Sequence, residues 1–354
     1  MKNCITCLFC LFVLFTFFSC NKERTDLELP NEYEDDEQSL VLDKSVLEPK
    51  YKLREVEGDP VEFSETWGYV TQGKESEYSV DFPISDVCYF AVDINCYGEL
   101  INIPVRSKLV VNKGTRVHLV FVCDSKSLTH FVINPDYGIR KKILNEIVLL
   151  AKDYDGVQID YELVPVRDRR NFISFIADLR YKLNGKTLSV CVPARFKLLS
   201  EDAYPYEEIS KYCDRVFVMA YDEHWSSSKP GAIASVDWCR KVLNYAVETV
   251  PSRKLIMGMP FYGRTWSDTQ TSGAWYFSGI NRIMTENQVE SVEYVDEIPS
   301  FSYTTEVSVT GYFNDTYSLV NLCRMYCDAD VQKVGFWRIG HEDSEFWNWL
   351  KVKN

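Results

Sequence analysis

The alternation of apolar and polar positions is clearest at residues 154–162. Val157, Ile159 and Tyr161 alternate with Gln158, Asp160 and Glu162, which is the two-residue period of a β-strand. The next periodic stretch, Asp168 to Leu183, sets Phe172, Phe175, Ile176, Leu179 and Leu183 along one side of a helix. A strand followed by a helix is the unit of a parallel sheet, and such strands are covered on both faces. Gln158, Asp160 and Glu162 then share a covered face in a run with no basic residue. Carboxylates there are costly unless they have partners or chemistry to perform. The pattern alone leaves two readings open: catalytic carboxylates, or a solvated edge or metal site.

The same criterion finds eight strands: Glu65–Val70, Val87–Val92, Arg116–Cys123, Gly156–Glu162, Leu188–Pro193, Arg215–Tyr221, Lys254–Phe261 and Val334–Ile339. Helical periodicity follows the third strand (Ile139 to Lys152), the fourth, and the sixth (Val236 to Val250), whereas Thr71 to Ser85 and Ile101 to Gly114 read as loops. Eight strands over residues 63–354 predict a (β/α)8 TIM barrel, with a small insertion between strands seven and eight at Ser267 to Asp315. A doubly wound open sheet is the alternative, but no Gly-rich phosphate loop supports it. In a barrel the active site lies at the carboxyl ends of the strands, where Asp160 and Glu162 fall.

The start of the chain changes the picture of where it works. Lys2 precedes an uncharged, mostly apolar run from Ile5 to Phe18, shorter than the about 20 residues that span a bilayer. Phe17-Phe18-Ser19-Cys20 resembles a bacterial lipobox, which predicts a lipoprotein signal peptide at 1–20 and lipidation of Cys20; the alternative is an ordinary signal peptide with an incidental Cys. Either way the mature chain leaves the cytoplasm, and as a lipoprotein it stays in the cell envelope, facing the periplasm or the surface. Residues 21–62, with the acidic run Asn31 to Glu37, read as a flexible tether. The net charge of −13 argues against nucleic acid or an anionic membrane surface as a partner. Of 12 cysteines, Cys4, Cys7, Cys10 and Cys20 belong to the leader and its end, and the other eight contain no CxxC pair. Cys88, Cys123 and Cys191 fall in strand-like runs and read as small buried hydrophobes. Cys323 and Cys327 are four apart on a helix, which is weak grounds for a metal site.

Asp155-Gly156-x-x-Ile159-Asp160-x-Glu162 resembles the strand-four motif of family 18 glycoside hydrolases, the chitinase-like enzymes. Gln158 stands where the common pattern has its middle Asp, and the spore-germination and cortex-lytic peptidoglycan branch carries a neutral amide there. Met219-Ala220-Tyr221-Asp222, followed by His224-Trp225, resembles the strand-six segment of that branch. Gly258-Met259-Pro260-Phe261-Tyr262-Gly263-Arg264 resembles the strand-seven segment, and Trp337 the strand-eight tryptophan. A His224–Asp222 catalytic pair is disfavoured, since no nucleophile elbow accompanies it.

The resemblance implies a monomeric glycosidase acting on N-acetylglucosamine-containing polysaccharide, with no metal and no organic cofactor. Glu162 would be the general acid. Asp160 would accept the acetamido N–H and stabilise the oxazolinium formed by substrate assistance, the exception to the two-carboxylate scheme. Tyr221 would hold the acetamido carbonyl and Asp222 would hydrogen-bond the sugar. Tyr262 and Arg264 would line the cleft, Arg264 either touching the sugar or pairing structurally with a carboxylate, and Trp337 would be the floor under the −1 sugar. Gln158 faces the same site, and its amide N–H is placed to hydrogen-bond Asp160 and hold it ionised. The rivals are a catalytically silent carbohydrate-binding lipoprotein on the same fold and an envelope scaffold; retention of Glu162 favours an enzyme. If Cys20 is lipidated, Cys20→Ala moves the protein from the detergent phase to the aqueous phase in a partitioning assay. Unchanged partitioning would remove the anchor.

Overall fold

The computed structural model describes residues 47–269 and 272–353. The leader, Cys20 and the acidic run lie outside them. Eight parallel strands pair in chain order: Glu65–Thr71, Asp86–Ile94, Arg116–Cys123, Gly156–Tyr161, Thr187–Pro193, Arg215–Met219, Leu255–Pro260 and Lys333–Trp337. The first strand pairs with the second from Trp67↔Asp86 to Thr71↔Phe90, and with the eighth from Glu65↔Lys333 to Gly68↔Phe336. The sheet is therefore closed, which excludes the open doubly wound alternative. Phe217 projects into the barrel between two glycines paired in register, Gly258 and Gly335. A Cβ at either would lie 2.6 or 2.2 Å from its ring.

Helices Gly138–Leu150, Arg169–Leu183, Val236–Thr249 and Thr316–Asp328 cover the outside. Phe172, Phe175, Ile176 and Leu179 of the second of these are fully buried, as their spacing predicts. Short helices Lys126–Ile133 and Tyr206–Ser210 add to the cover. Between the first and third strands the described residues contain no α-helix. Tyr78, Ile84 and Leu109 from the connecting loops fill that part of the outer core instead.

The insertion begins earlier than the expected Ser267. Phe261 N–H donates to Trp337 O (2.8 Å), and the chain then leaves the barrel. Strands Tyr262–Ser267, Ser272–Tyr276, Glu293–Val295, Ile298–Thr304 and Ser308–Tyr312 form an antiparallel sheet beside helix Phe277–Glu286. They share a core of Ile280, Met284, Val289, Phe301 and Phe313. The expected tether boundary at residue 62 falls inside a strand, Val61–Phe63, which pairs in parallel with Leu350–Val352. The alternating burial of Val61 and Phe63 around exposed Glu62 holds it there. Upstream, Tyr51 OH donates to Asn281 (3.1 Å), and the Arg54 guanidinium lies 4.2 Å over the Tyr294 ring.

The amino-terminal end of the barrel interior is closed by charge. Asp86, fully buried, accepts from Arg116 Nε (2.6 Å) and Nη2 (2.7 Å), and its Oδ1 lies 2.8 Å from His118 Nε2. Glu65 accepts from Arg215 (2.5 and 2.9 Å) and from Trp67 Nε1 (3.0 Å). The Trp67 indole stacks on His118 at 4.3 Å. Burial acts to raise both carboxyls, but bonds and charge from His118 and Arg116, and from Arg215, outweigh it and hold both below their usual range. Removing one partner of a buried pair strands the others. Asp86→Ala is expected to lower stability by about 3–5 kcal/mol in urea denaturation; a loss under about 1 kcal/mol would mean that the cluster is not needed for closure.

Candidate active site

Asp160 is the last inward residue of the fourth strand and Glu162 is the first residue beyond that strand. Two residues along a strand advance about 6–7 Å on the same face, so the pair runs from the dry interior to the mouth. Asp155, the first acid of the motif, is structural: its Oδ2 accepts from Val117 N (2.8 Å) and fixes the third strand to the fourth.

Gln158 is fully buried, Asp160 is 8% exposed and Glu162 is open to solvent. Asp160 Oδ1 has no hydrogen-bond partner among the described residues. Burial first, then the charge of Glu162, push the Asp160 carboxyl up to about 7, and the nearby Cys191 thiol acts in the opposite direction. Partial burial, then the charges of Asp124 and Asp222, also raise Glu162. Both carboxyls therefore favour the protonated form more than free side chains do, and as coupled acids they titrate in steps that belong to the pair.

The expected bond from Gln158 to Asp160 is not formed. Gln158 Oε1 accepts from Tyr69 OH (2.5 Å), and its Nε2 has no partner among the described residues. Tyr69, from the first strand, binds the amide because its hydroxyl reaches across the narrow barrel. Gln158 thus supports the site from beneath.

Tyr221 and Asp222 follow the sixth strand. Tyr221 is half-buried, packed between the barrel interior and the insertion. Asp222 sits at φ +58°, a conformation rare outside glycine, and its Oδ1 accepts from Tyr262 OH (2.6 Å) with Arg264 Nη2 3.7 Å away. Tyr262 and Arg264 lie on the first insertion strand, not on barrel strand seven, and both reach Asp222. Trp337 ends the eighth strand, half-buried, with the rings of Tyr69 and Phe90 edge-on at 5.1 and 4.7 Å. His224 Nδ1 lies 2.9 Å from Ala232 O, so its ring is tied to its own loop.

Sequence reasoning missed Tyr69, Cys191, Asp124 and Tyr204. Tyr204 OH donates to Tyr161 O (2.8 Å) and accepts from Val164 N (3.0 Å), clamping the turn that carries Glu162. Period-two counting along the first and fifth strands places Tyr69 and Cys191 on inward faces; Tyr204, on a loop, carries no such signal.

The chain is similar to known proteins in sequence and in fold. The model of the glycosyl hydrolases family 18 matches residues 125–342, more than half of the chain. The chain belongs to this family. The uncharacterized glycosylase YvbX of Bacillus subtilis (strain 168) is 29% identical over 229 residues, 60% of this chain and 65% of that protein. The chain spans between about half and two thirds of the length of such curated relatives. Among solved structures, the Bacillus cereus spore cortex-lytic enzyme SleL superposes with a TM-score of 0.74 over 84% of this chain and 76% of its own, at 20% identity. A Chromobacterium violaceum chitinase does so with a TM-score of 0.67 over 80% and 96%, at 21% identity. These two likenesses are of fold.

The raised Asp160 carboxyl has a consequence for stability in this family 18 barrel. The unfolded chain loses the proton near its ordinary value of 3.8, whereas the folded protein keeps it until about 7. Folding between these values takes up a proton, so stability falls as pH rises through that window and levels off above it. Asp160→Asn is expected to raise the melting temperature, with a gain that grows from pH 4 to pH 7 and is then constant. A gain independent of pH would show that Asp160 is not the group that titrates there.

Proposed function

We propose that this chain hydrolyses β-linked N-acetylglucosamine polymers, of the peptidoglycan or chitin type, by substrate-assisted retention. The observation that carries the reading is the pair of raised acids on one strand face, Asp160 buried and Glu162 at the mouth, with Tyr221, Asp222 and Trp337 around them. Glu162 gives its proton to the leaving glycosidic oxygen. The acetamido carbonyl oxygen of the −1 sugar attacks the anomeric carbon as that bond breaks. Asp160 accepts from the acetamido N–H and offsets the positive charge of the oxazolinium. Water then opens the ring, giving its proton back to Glu162. The Trp337 indole supplies a flat apolar surface for the sugar ring. The name of SleL favours the cortex type of peptidoglycan and the chitinase neighbour favours chitin. We place the protein in the cell envelope as an exported lipoprotein, facing the periplasm or the surface and held by lipid at Cys20.

The working form of the carboxyl pair holds one proton, so kcat/KM is expected to follow a bell-shaped pH profile. The test is to incubate the protein with peptidoglycan and with chitin oligomers and to identify the new reducing ends by mass spectrometry. Glu162→Gln keeps the shape but not the acid. Its hydrolysis is expected to fall by about 10²–10⁴-fold while oligosaccharide binding persists. Equal turnover by wild type and variant would remove Glu162 as the acid. Binding without turnover in the wild type would make the protein a lectin.

A further inference from the structure

On the proposed reading of the site, Asp160 must be ionised and correctly turned when the acetamido group arrives. The question is which protein group holds it. In the fourth and fifth strands Gln158 pairs with Ser189 and Ile159 with Val190. The paired register ends there, and continuing it by one residue brings Asp160 next to Cys191, which belongs to the cluster inside the barrel with Tyr69 and Cys88.

We propose that the Cys191 thiol is the positioning residue of Asp160, donating its proton to the carboxylate and leaving the other oxygen for the substrate N–H. Three observations converge on this. First, Tyr69 OH lies 3.4 Å from Cys191 Sγ, but its own proton is committed to Gln158 Oε1 at 2.5 Å. The tyrosine oxygen is therefore an acceptor on the sulfur side, and the proton available there is that of the thiol. Second, the thiol has two acceptors beside it, a neutral phenol oxygen and a carboxylate, and the charged acceptor makes the stronger bond. Third, burial first and then the charge of Asp160 push the Cys191 thiol well up, so it stays protonated and remains a donor.

The surroundings offer no substitute. Besides Cys191, the titratable groups coupled to Asp160 among the described residues are Glu162 just past its own strand, whose charge raises it, and Tyr69 on the first strand, Cys88 on the second, Tyr221 after the sixth and Tyr204 in the loop after the fifth, which the charge of Asp160 raises in turn. They are a carboxyl, a thiol and phenols, and none is a cation. Asp160 Oδ1 is without a partner among the described residues, which suits an atom reserved for the ligand. A thiol is a weak donor. It biases the carboxylate without neutralising it, and it yields easily when the sugar N–H and the oxazolinium charge arrive.

The test reads Asp160 directly. The protein is labelled with aspartate enriched in ¹³C at the carboxyl carbon, Asp160→Asn identifies the resonance, and its titration is followed without substrate. Cys191→Ala is expected to move the Asp160 midpoint up by about half a unit to one unit, the size of a weak bond to a charged group. Cys191→Ser keeps a donor at the same place and is expected to leave the midpoint at or below the wild-type value. The acidic limb of kcat/KM is expected to move in the same directions. Cys191→Val, which fills the space without a donor, is made as well and stands in if the alanine variant does not fold; it is expected to raise the midpoint likewise. An unchanged midpoint in the donorless variants, or a serine variant that behaves like them, would overturn the assignment. Because the midpoint is read without substrate, failure to cleave acetamido sugars would count against the proposed function and not against the thiol.

Discussion

A carboxylate held in a dry barrel without a counter-cation is the constraint on which the cleft depends. The two ends of the same interior handle acidity in opposite ways. At the amino-terminal end Glu65 and Asp86 are matched by Arg116, Arg215 and His118 and are held ionised. Toward the carboxyl end Asp160 has phenols, thiols and a second acid around it, and its proton is released only near neutrality. Buried charge is tolerated when paired and hydrogen-bonded, and unpaired charge neutralises instead. The amino-terminal cluster and the outer aliphatic core therefore supply stability that the mouth gives up.

The mouth itself is assembled from two sources. The barrel delivers the carboxyl pair by strand alternation, and Tyr204 pins the turn on which Glu162 stands. The insertion delivers Tyr262 and Arg264, which reach Asp222 from outside the barrel and hold it at a positive φ. A residue in that conformation persists only where its surroundings over-determine it. Here a 2.6 Å phenol bond and a nearby guanidinium do so, which fixes the direction of the Asp222 carboxylate, whose charge adds to burial and to the charge of Asp124 in raising Glu162.

The legible part of the structure was the periodic part. All eight strands were found within a few residues, because inward and outward side chains alternate against two different cores. The helix at Arg169–Leu183 was found because its buried face is a clean stripe. The insertion was not found in detail, since its short antiparallel strands mix aromatic, glycine and polar positions without one covered face. For the same reason Tyr262 and Arg264 were placed on a barrel strand that ends at Pro260. Of the candidate site, the motif residues Asp160, Glu162, Tyr221, Asp222 and Trp337 do converge at the carboxyl ends of the strands. Their supporters were less visible. Tyr69 and Cys191 look like core residues in sequence and are core residues in the structure, and only the register between strands reveals what their polar atoms meet.

That register also explains why an amide suits position 158. An aspartate there would be wholly buried, two residues below Asp160 on the same face, against Tyr69 and two thiols with no cation at hand. Like charges so placed share one proton, and the lower acid would compete with the substrate for Asp160. Gln158 removes that competitor and occupies its carbonyl with the Tyr69 hydroxyl, which turns the phenol oxygen into an acceptor. The proton that an acid at 158 would have offered then has to come from the neighbouring strand, where Cys191 is in line. The amide below and the thiol beside are thus two halves of one solution, in which a single deep carboxylate is steadied by neutral groups from both sides.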